Sequence, residues 1–143
     1  MTSIAFHFNA PTKLAYACRL LRKAVLSGST VAVIGDEQML AKLDEQLWSF
    51  SALDFVPHGR ANSLSEQQRE HTPIWLCVTA QEGRGRQVLV NLTQAVPVGL
   101  DGFERVIEVV STDEVDRSSA RGKWKHYAEL GIPIVRHDLS LAS

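Results

Sequence analysis

The sequence predicts a single α/β domain over residues 1–143, three layers deep, with a mostly parallel central sheet between helices. Three observations predict it. Strand-like and helix-like stretches alternate as β-α-β-α through the first third of the chain, a pattern that implies parallel strands and right-handed crossovers. Val31-Ala32-Val33-Ile34 is apolar without a break, as expected of a strand covered on both faces. With 143 residues, 45% of them hydrophobic, the chain can bury about 68–70% of its unfolded surface in one core.

The elements follow in order. Ser3 to Phe8 reads as a strand, with Ile4, Phe6 and Phe8 alternating. Asn9 or Ala10 then stands near an N-cap, with Pro11 in the first helical turn, where its missing N–H costs nothing. Thr12 to Leu26 is a helix whose apolar residues Leu14, Ala17, Cys18, Leu21 and Val25 recur at three and four, and Ser27-Gly28-Ser29 ends it. Thr30 to Ile34 is the second strand. Asp36 caps a helix over 37–48, with Met39, Leu40, Leu43 and Leu47 on its buried stripe. Residues 49–73 read as a loop-rich excursion with one extended piece at Phe55-Val56. Ile74 to Thr79 and Gln87 to Leu92 are strands around a turn at Glu82-Gly83-Arg84-Gly85. About seven residues link them, too few for a helical parallel crossover, so they pair antiparallel or sit apart. Phe103 to Val110 is another strand. Ser111 with Glu114 forms a capping box, a helix runs over 113–130 to Gly131, and Ile132-Pro133-Ile134-Val135 is the final strand.

The charge balance argues against general nucleic-acid binding and leaves only a local patch, such as residues 117–127, for direct contact with DNA. Fifteen Lys and Arg balance sixteen Asp and Glu, a net of −1, whereas a protein gripping duplex DNA through phosphates carries a basic excess. Cys18 and Cys77 sit in apolar runs with no metal-ligand spacing, so they read as buried free thiols in a reducing cytoplasm. The first residues lack the charged and apolar regions of a signal peptide, and no apolar run reaches the ~18 residues of a membrane span.

A search for chemistry finds no catalytic constellation. The loop Asn9-Ala10-Pro11-Thr12-Lys13 has no glycine to let backbone N–H groups converge on a phosphate. Gly83-Arg84-Gly85-Arg86 lies between two strands and reads as a hairpin turn. His7, His58, His71, His126 and His137 form no metal-binding pattern, so neither metal nor cofactor is expected. Asp36 reads as a cap and Asp44-Glu45 as a solvated face. A nucleotide-binding domain, or an enzyme without a recognisable motif, is the alternative reading.

Two features stand out. Residues 117–127 carry four Lys and Arg and no acid in a chain that is otherwise neutral. Arg117, Arg121 and Lys125 follow at i, i+4 and i+8, with Trp124 beside them. Like charges at that spacing destabilise an isolated helix by about 0.2–0.5 kcal/mol per pair. Gly122 costs roughly 0.8–1 kcal/mol more relative to Ala. A helix that tolerates both points to an acidic partner, with Arg taking a carboxylate and Trp124 walling an apolar pocket. The second feature is Leu47-Trp48-Ser49-Phe50 through Leu53-Asp54-Phe55-Val56-Pro57-His58. It is apolar without period, so some groups close the core and others mark a protein interface.

On Leu43-Asp44-Glu45-Gln46-Leu47-Trp48, Phe55-Val56-Pro57-His58 and Ala120-Arg121-Gly122-Lys123-Trp124-Lys125-His126-Tyr127, the sequence resembles the chi subunit family of bacterial DNA polymerase III. The resemblance runs along nearly the whole chain. It implies an α/β accessory subunit of the clamp loader with no catalysis of its own, working in DNA replication in the cytoplasm. It implies two partners, the psi subunit and the acidic, Phe-ended C-terminal tail of single-stranded DNA-binding protein, with DNA reached only indirectly and no membrane involved. The psi surface would fall at Trp48, Phe55, Pro57 and His58. The tail surface would fall at Arg121, Trp124, Lys125 and Arg117. The family often has Tyr where this chain has Trp124, which keeps the aromatic wall and loses the hydroxyl.

Overall fold

A computed structural model describes residues 2–49 and 56–141. The strands are β1 (Ser3–Ala10), β2 (Val31–Ile34), β3 (His58–Arg60), β4 (Ile74–Cys77), β5 (Val88–Asn91), β6 (Arg105–Ser111) and β7 (Ile134–Asp138). The helices are α1 (Lys13–Leu26), α2 (Glu37–Ser49), α3 (Glu66–His71) and α4 (Glu114–Glu129). Among the described residues the strands form one seven-stranded sheet in the order β3-β4-β2-β5-β6-β1-β7, and every ladder is parallel.

Side chains of successive strand residues divide between the two faces. Val31, Val33, Ile74, Leu76, Val88, Val90, Ile107 and Val109 pack with Ala17, Cys18 and Leu21 of α1 and Leu40, Leu43 and Leu47 of α2. Ile4, Phe6, Ala32, Trp75, Leu89 and Val106 face the other way, toward Tyr127, Trp124 and Ala120 of α4. The three layers expected from the sequence are therefore helix, sheet, helix. Cys18 and Cys77 are buried free thiols, their pKa pushed up by burial to about 11 and about 12.

Asp36 caps α2 as expected, its Oδ1 accepting the Met39 N–H at 2.7 Å. Gly131 ends α4 with φ +73°. Its N–H reaches Ala128 O and the Ile132 N–H reaches Tyr127 O, closing the last turn.

Several boundaries differ from the sequence reading. Strands β4 and β5 sit apart, each parallel to β2 between them, so the antiparallel option is excluded. Their connection is a 3-10 turn at Ala80–Gly83, and Gly83 to Arg86 is not a hairpin turn. Gly83 lies where a Cβ would come within 2.3 Å of Ala32 Cβ, so the crossover hugs the sheet only without a side chain there. Pro11 lies ahead of α1, whose N-cap is Thr12. The excursion at 49–73 contains β3 and α3. Its helix carries a capping box, with the Ser65 side chain accepting the Gln68 N–H and the Gln68 side chain accepting the Ser65 N–H. Of the extended piece at Phe55-Val56, Phe55 lies outside the described residues and Val56 precedes β3.

The capping box read at Ser111 does not form. Ser111 ends β6, its N–H is taken by Asp116 Oδ2 at 2.7 Å, and its Oγ accepts the Asp113 N–H. Asp113 is the N-cap, and the Glu114 carboxylate pairs with Arg121. The last strand spans Ile134–Asp138, beyond the expected Val135, because Arg136, His137 and Asp138 continue the ladder with Phe6, His7 and Phe8.

Candidate functional site

A cavity of about 580 Å³ opens between α4 and the β1–β7 edge of the sheet. Phe6, Phe8, Val110 and Ala120 make its apolar floor. The alternation of β1 sends Phe6 toward α4, where its ring lies 5.1 Å from that of Trp124 and 6.0 Å from that of Tyr127. Arg117 and Arg121 line the α4 wall, and Arg136 of β7 lines the opposite one. The Arg136 guanidinium sits 5.3 Å from the Phe8 ring centre and 5.8 Å from that of Trp124, within cation–π range. Asn9, at φ +65°, completes the lining, and its Nδ2 donates to Asp138 Oδ1 at 2.8 Å. The Asp138 carboxyl is held below the usual range by hydrogen bonds from the Ser140 side chain first and then Asn9.

The cavity brings together Arg117, Arg121 and Trp124. Arg121 Nη2 donates to Glu114 Oε1 at 2.9 Å, and that hydrogen bond holds Glu114 below its ordinary range. Both partners are well exposed, so the pair is easily exchanged for another carboxylate. Lys125 is exposed and does not line the cavity. The i, i+4, i+8 ridge accounts for this: at 3.6 residues per turn each step of four overshoots by about 40°, so the third member has turned about 80° away from the first. Arg136, Asn9, Phe6 and Phe8 were not singled out as site residues in the sequence. Phe6 and Phe8 alternate on one strand face, which was a readable signal. Arg136 is hidden in the sequence because the apolar run Ile132-Pro133-Ile134-Val135 stops just before it, while the strand continues to Asp138.

Two buried polar networks hold α4 in place. Glu108, fully buried on β6, accepts from Lys123 Nζ at 2.6 Å and from the Tyr127 hydroxyl at 2.6 Å. Asn91 Nδ2 reaches both its oxygens at 3.1 Å. Burial first, and then Glu108, raise the Tyr127 pKa and keep it a donor. Nearer the start of α4, Asp116 accepts from Lys13 Nζ at 2.9 Å, Gln94 Nε2 at 2.8 Å and the Ser111 N–H. Burial opposes its charge, yet the Ser111 N–H and Lys13 carry its pKa below the ordinary value. With its termini and middle so fixed, α4 presents Arg117 and Arg121 over the cavity without loose rotation.

The second sequence feature lies at the other end of the sheet, where β3 is the edge strand. Trp48, 61% exposed at the end of α2, sets its ring edge-on to His58 at 5.2 Å. The His58 side chain is buried, with Nδ1 2.6 Å from Val56 O and Nε2 2.9 Å from Asp44 Oδ1. Asp44 is thus half-buried and paired, where the sequence reading had a solvated face. Pro57 is half-buried beside them, and Phe55 lies outside the described residues.

A family model described as DNA polymerase III chi subunit, HolC, matches residues 1–135. The chain belongs to the DNA polymerase III chi subunit family. A relative from Pseudomonas aeruginosa, named DNA polymerase III subunit chi, is 35% identical over 144 residues, covering 97% of this chain and 98% of the relative. A Haemophilus influenzae protein of the same name is 30% identical over 111 residues, covering 76% of this chain and 75% of its own. Among solved structures, the C-terminal domain of the DEAD-box protein Dbp5 superposes with a TM-score of 0.57 at 13% identity, covering 98% of this chain and 91% of that one. That likeness is one of fold alone.

Within this chi-family chain, no group of three or more His, Cys, Asp or Glu among the described residues is arranged to hold a metal ion. No described helix is long and apolar enough to cross a membrane. The two surfaces singled out by the sequence, at Trp48 and at Trp124, lie toward opposite edges of the chi sheet and on opposite faces of it.

Proposed function

We propose that this chi-family chain is a non-catalytic adaptor of the replication machinery. It joins the psi subunit of the clamp loader to the acidic C-terminal tail of single-stranded DNA-binding protein, in the cytoplasm, and meets DNA only through that partner. The observation that carries the reading is the cavity itself: an aromatic lining of Phe6, Phe8 and Trp124 with arginines on two walls. Such a hollow suits a chain end that is both anionic and aromatic. The terminal carboxylate takes the planar fork of Arg121 or Arg117, and the last side chain fills the floor. One small pocket supports an affinity near micromolar, about −8 kcal/mol, and several tails on one oligomeric partner raise the avidity. Lys125, exposed one turn on, meets acidic residues farther up the tail and contributes mainly through long-range attraction.

The exposed ring of Trp48, with Pro57, His58 and Phe55, is the surface proposed for psi. His58 acts there as the buried prop of the Trp48 ring. The placement of the two surfaces at opposite edges of the sheet supports simultaneous engagement of both partners.

Titration calorimetry with an acidic, Phe-ended peptide tests the tail assignment. Micromolar binding that collapses when the peptide is amidated at its C-terminus is the expected result. Equal binding of the free and amidated forms would remove the assignment. Co-elution of chi with psi, lost in Phe55→Ala or Trp48→Ala while peptide binding persists, tests the second surface.

A further inference from the structure

We propose that Arg136 reads a second carboxylate of the bound peptide, that of an acidic side chain preceding the terminal residue, from the wall opposite Arg117 and Arg121. The inference rests on the peptide-binding reading of the cavity and adds the specificity of its far wall. Arg136 is placed by the sheet. It lies opposite Phe6 in the β1–β7 ladder, so both side chains project on the face that α4 covers. Its guanidinium is held against the Phe8 and Trp124 rings, an arrangement that orders the planar group and leaves its N–H edge to donate.

Among the described residues no carboxylate forms a salt bridge or hydrogen bond with Arg136, although the nearby Asp138 carboxyl feels its charge. Asp138, two residues along the same strand, already accepts from Asn9 Nδ2 at 2.8 Å and from the Ser140 hydroxyl and N–H at 2.6 and 3.0 Å. Arg121, in contrast, has Glu114 to exchange. The cations therefore stand on two walls with an aromatic floor between them. A terminal carboxylate seated in the fork of Arg121 or Arg117 leaves the Arg136 wall without an anion of its own. That wall is left for a different anion on the same peptide, and an Asp or Glu side chain is the group of matching charge and geometry.

Calorimetry at low salt with three peptides tests this: an acidic Phe-ended peptide, the same peptide with its Asp residues changed to Asn, and the acidic peptide amidated at its C-terminus. Wild-type protein is expected to favour the acidic peptide over the Asn version by roughly ten-fold, the effect of one charge-assisted hydrogen bond. Arg136→Gln should cut that preference to the small, salt-sensitive part that Lys125 supplies and retain the preference for a free C-terminus, and Arg136→Lys should restore part of it. Arg136 is exposed, so an unchanged melting temperature is expected of both variants. Arg136→Gln that still favours Asp over Asn to the wild-type degree overturns the assignment of Arg136 alone. Wild-type protein that binds none of the peptides overturns the peptide reading and this inference with it.

Discussion

The Lys123 ammonium lies 2.6 Å from Glu108 Oε1 inside the core, although Lys123 directly precedes Trp124 in the basic segment of α4. Lys123 therefore belongs to the scaffold of the helix and not to its cationic face. Thr93 O takes a second bond from its Nζ at 2.8 Å. Removing one partner of a buried pair leaves the other charge without compensation. Lys123→Ala is expected to lower stability by about 3–5 kcal/mol. Urea denaturation measures it, and an added Glu108→Gln should recover part of the loss.

Gly83→Ala places a Cβ 2.3 Å from Ala32 Cβ in the middle of the sheet. Neither group can swing aside, so the crossover must shift. A loss of roughly 1–3 kcal/mol is expected, as for an overpacked core. The shift of the urea midpoint at constant slope checks it.

His7 gives the fold a pH dependence. Burial first, then His137, Arg105 and Lys23, lower its pKa from 6.5 to about 4. The unfolded chain thus binds a proton between those values that the folded chain refuses. Stability is full above about pH 6.5 and falls as pH drops toward 4. For a fully buried group that shift corresponds to about 3 kcal/mol, and solvent screening at half-buried His7 reduces it to roughly 1–2 kcal/mol. Thermal melts from pH 7 to pH 4 should show the slope, and His7→Gln should flatten it.

Arg121→Ala removes one fork from the α4 wall of the cavity. Peptide affinity is expected to fall by about 1.5–3 kcal/mol, the range for a hydrogen bond to a charged group. Affinity of the wild type should itself decline with added salt, since the cavity mouth is open to solvent. Calorimetry at two ionic strengths reads both effects.

Much of this was legible in the chain. The alternation of β1, the unbroken apolar run of β2 and the stripes of α1 and α2 dictated a covered sheet. The acid-free stretch 117–127 located one wall of the cavity. What was hidden depended on other elements. Lys123 falls on the buried stripe of α4 with Asp116, Ala120 and Tyr127 while Lys125 faces away, but the charge of Lys123 hid that phase, and only Glu108 on β6 shows how a buried ammonium is tolerated. Arg136 follows an apolar run and continues it as an edge strand whose polar residues mask the period. The capping box of α3 sat in plain view at Ser65 and Gln68, within a segment too polar to suggest a helix. Strand order could not be read at all, because β2 separates β4 from β5 through contacts distant in sequence.

The central claim is that the cavity under α4 takes an acidic, aromatic-ended peptide. The chain has three tryptophans, Trp48, Trp75 and Trp124, and only Trp124 lines that cavity. Following the three indole N–H resonances while the peptide is titrated tests the claim most directly. The account predicts that the Trp124 signal moves to saturation at micromolar peptide while those of Trp48 and Trp75 stay still. A Trp48 signal that moves while Trp124 stays fixed, or three signals that never move, would contradict it.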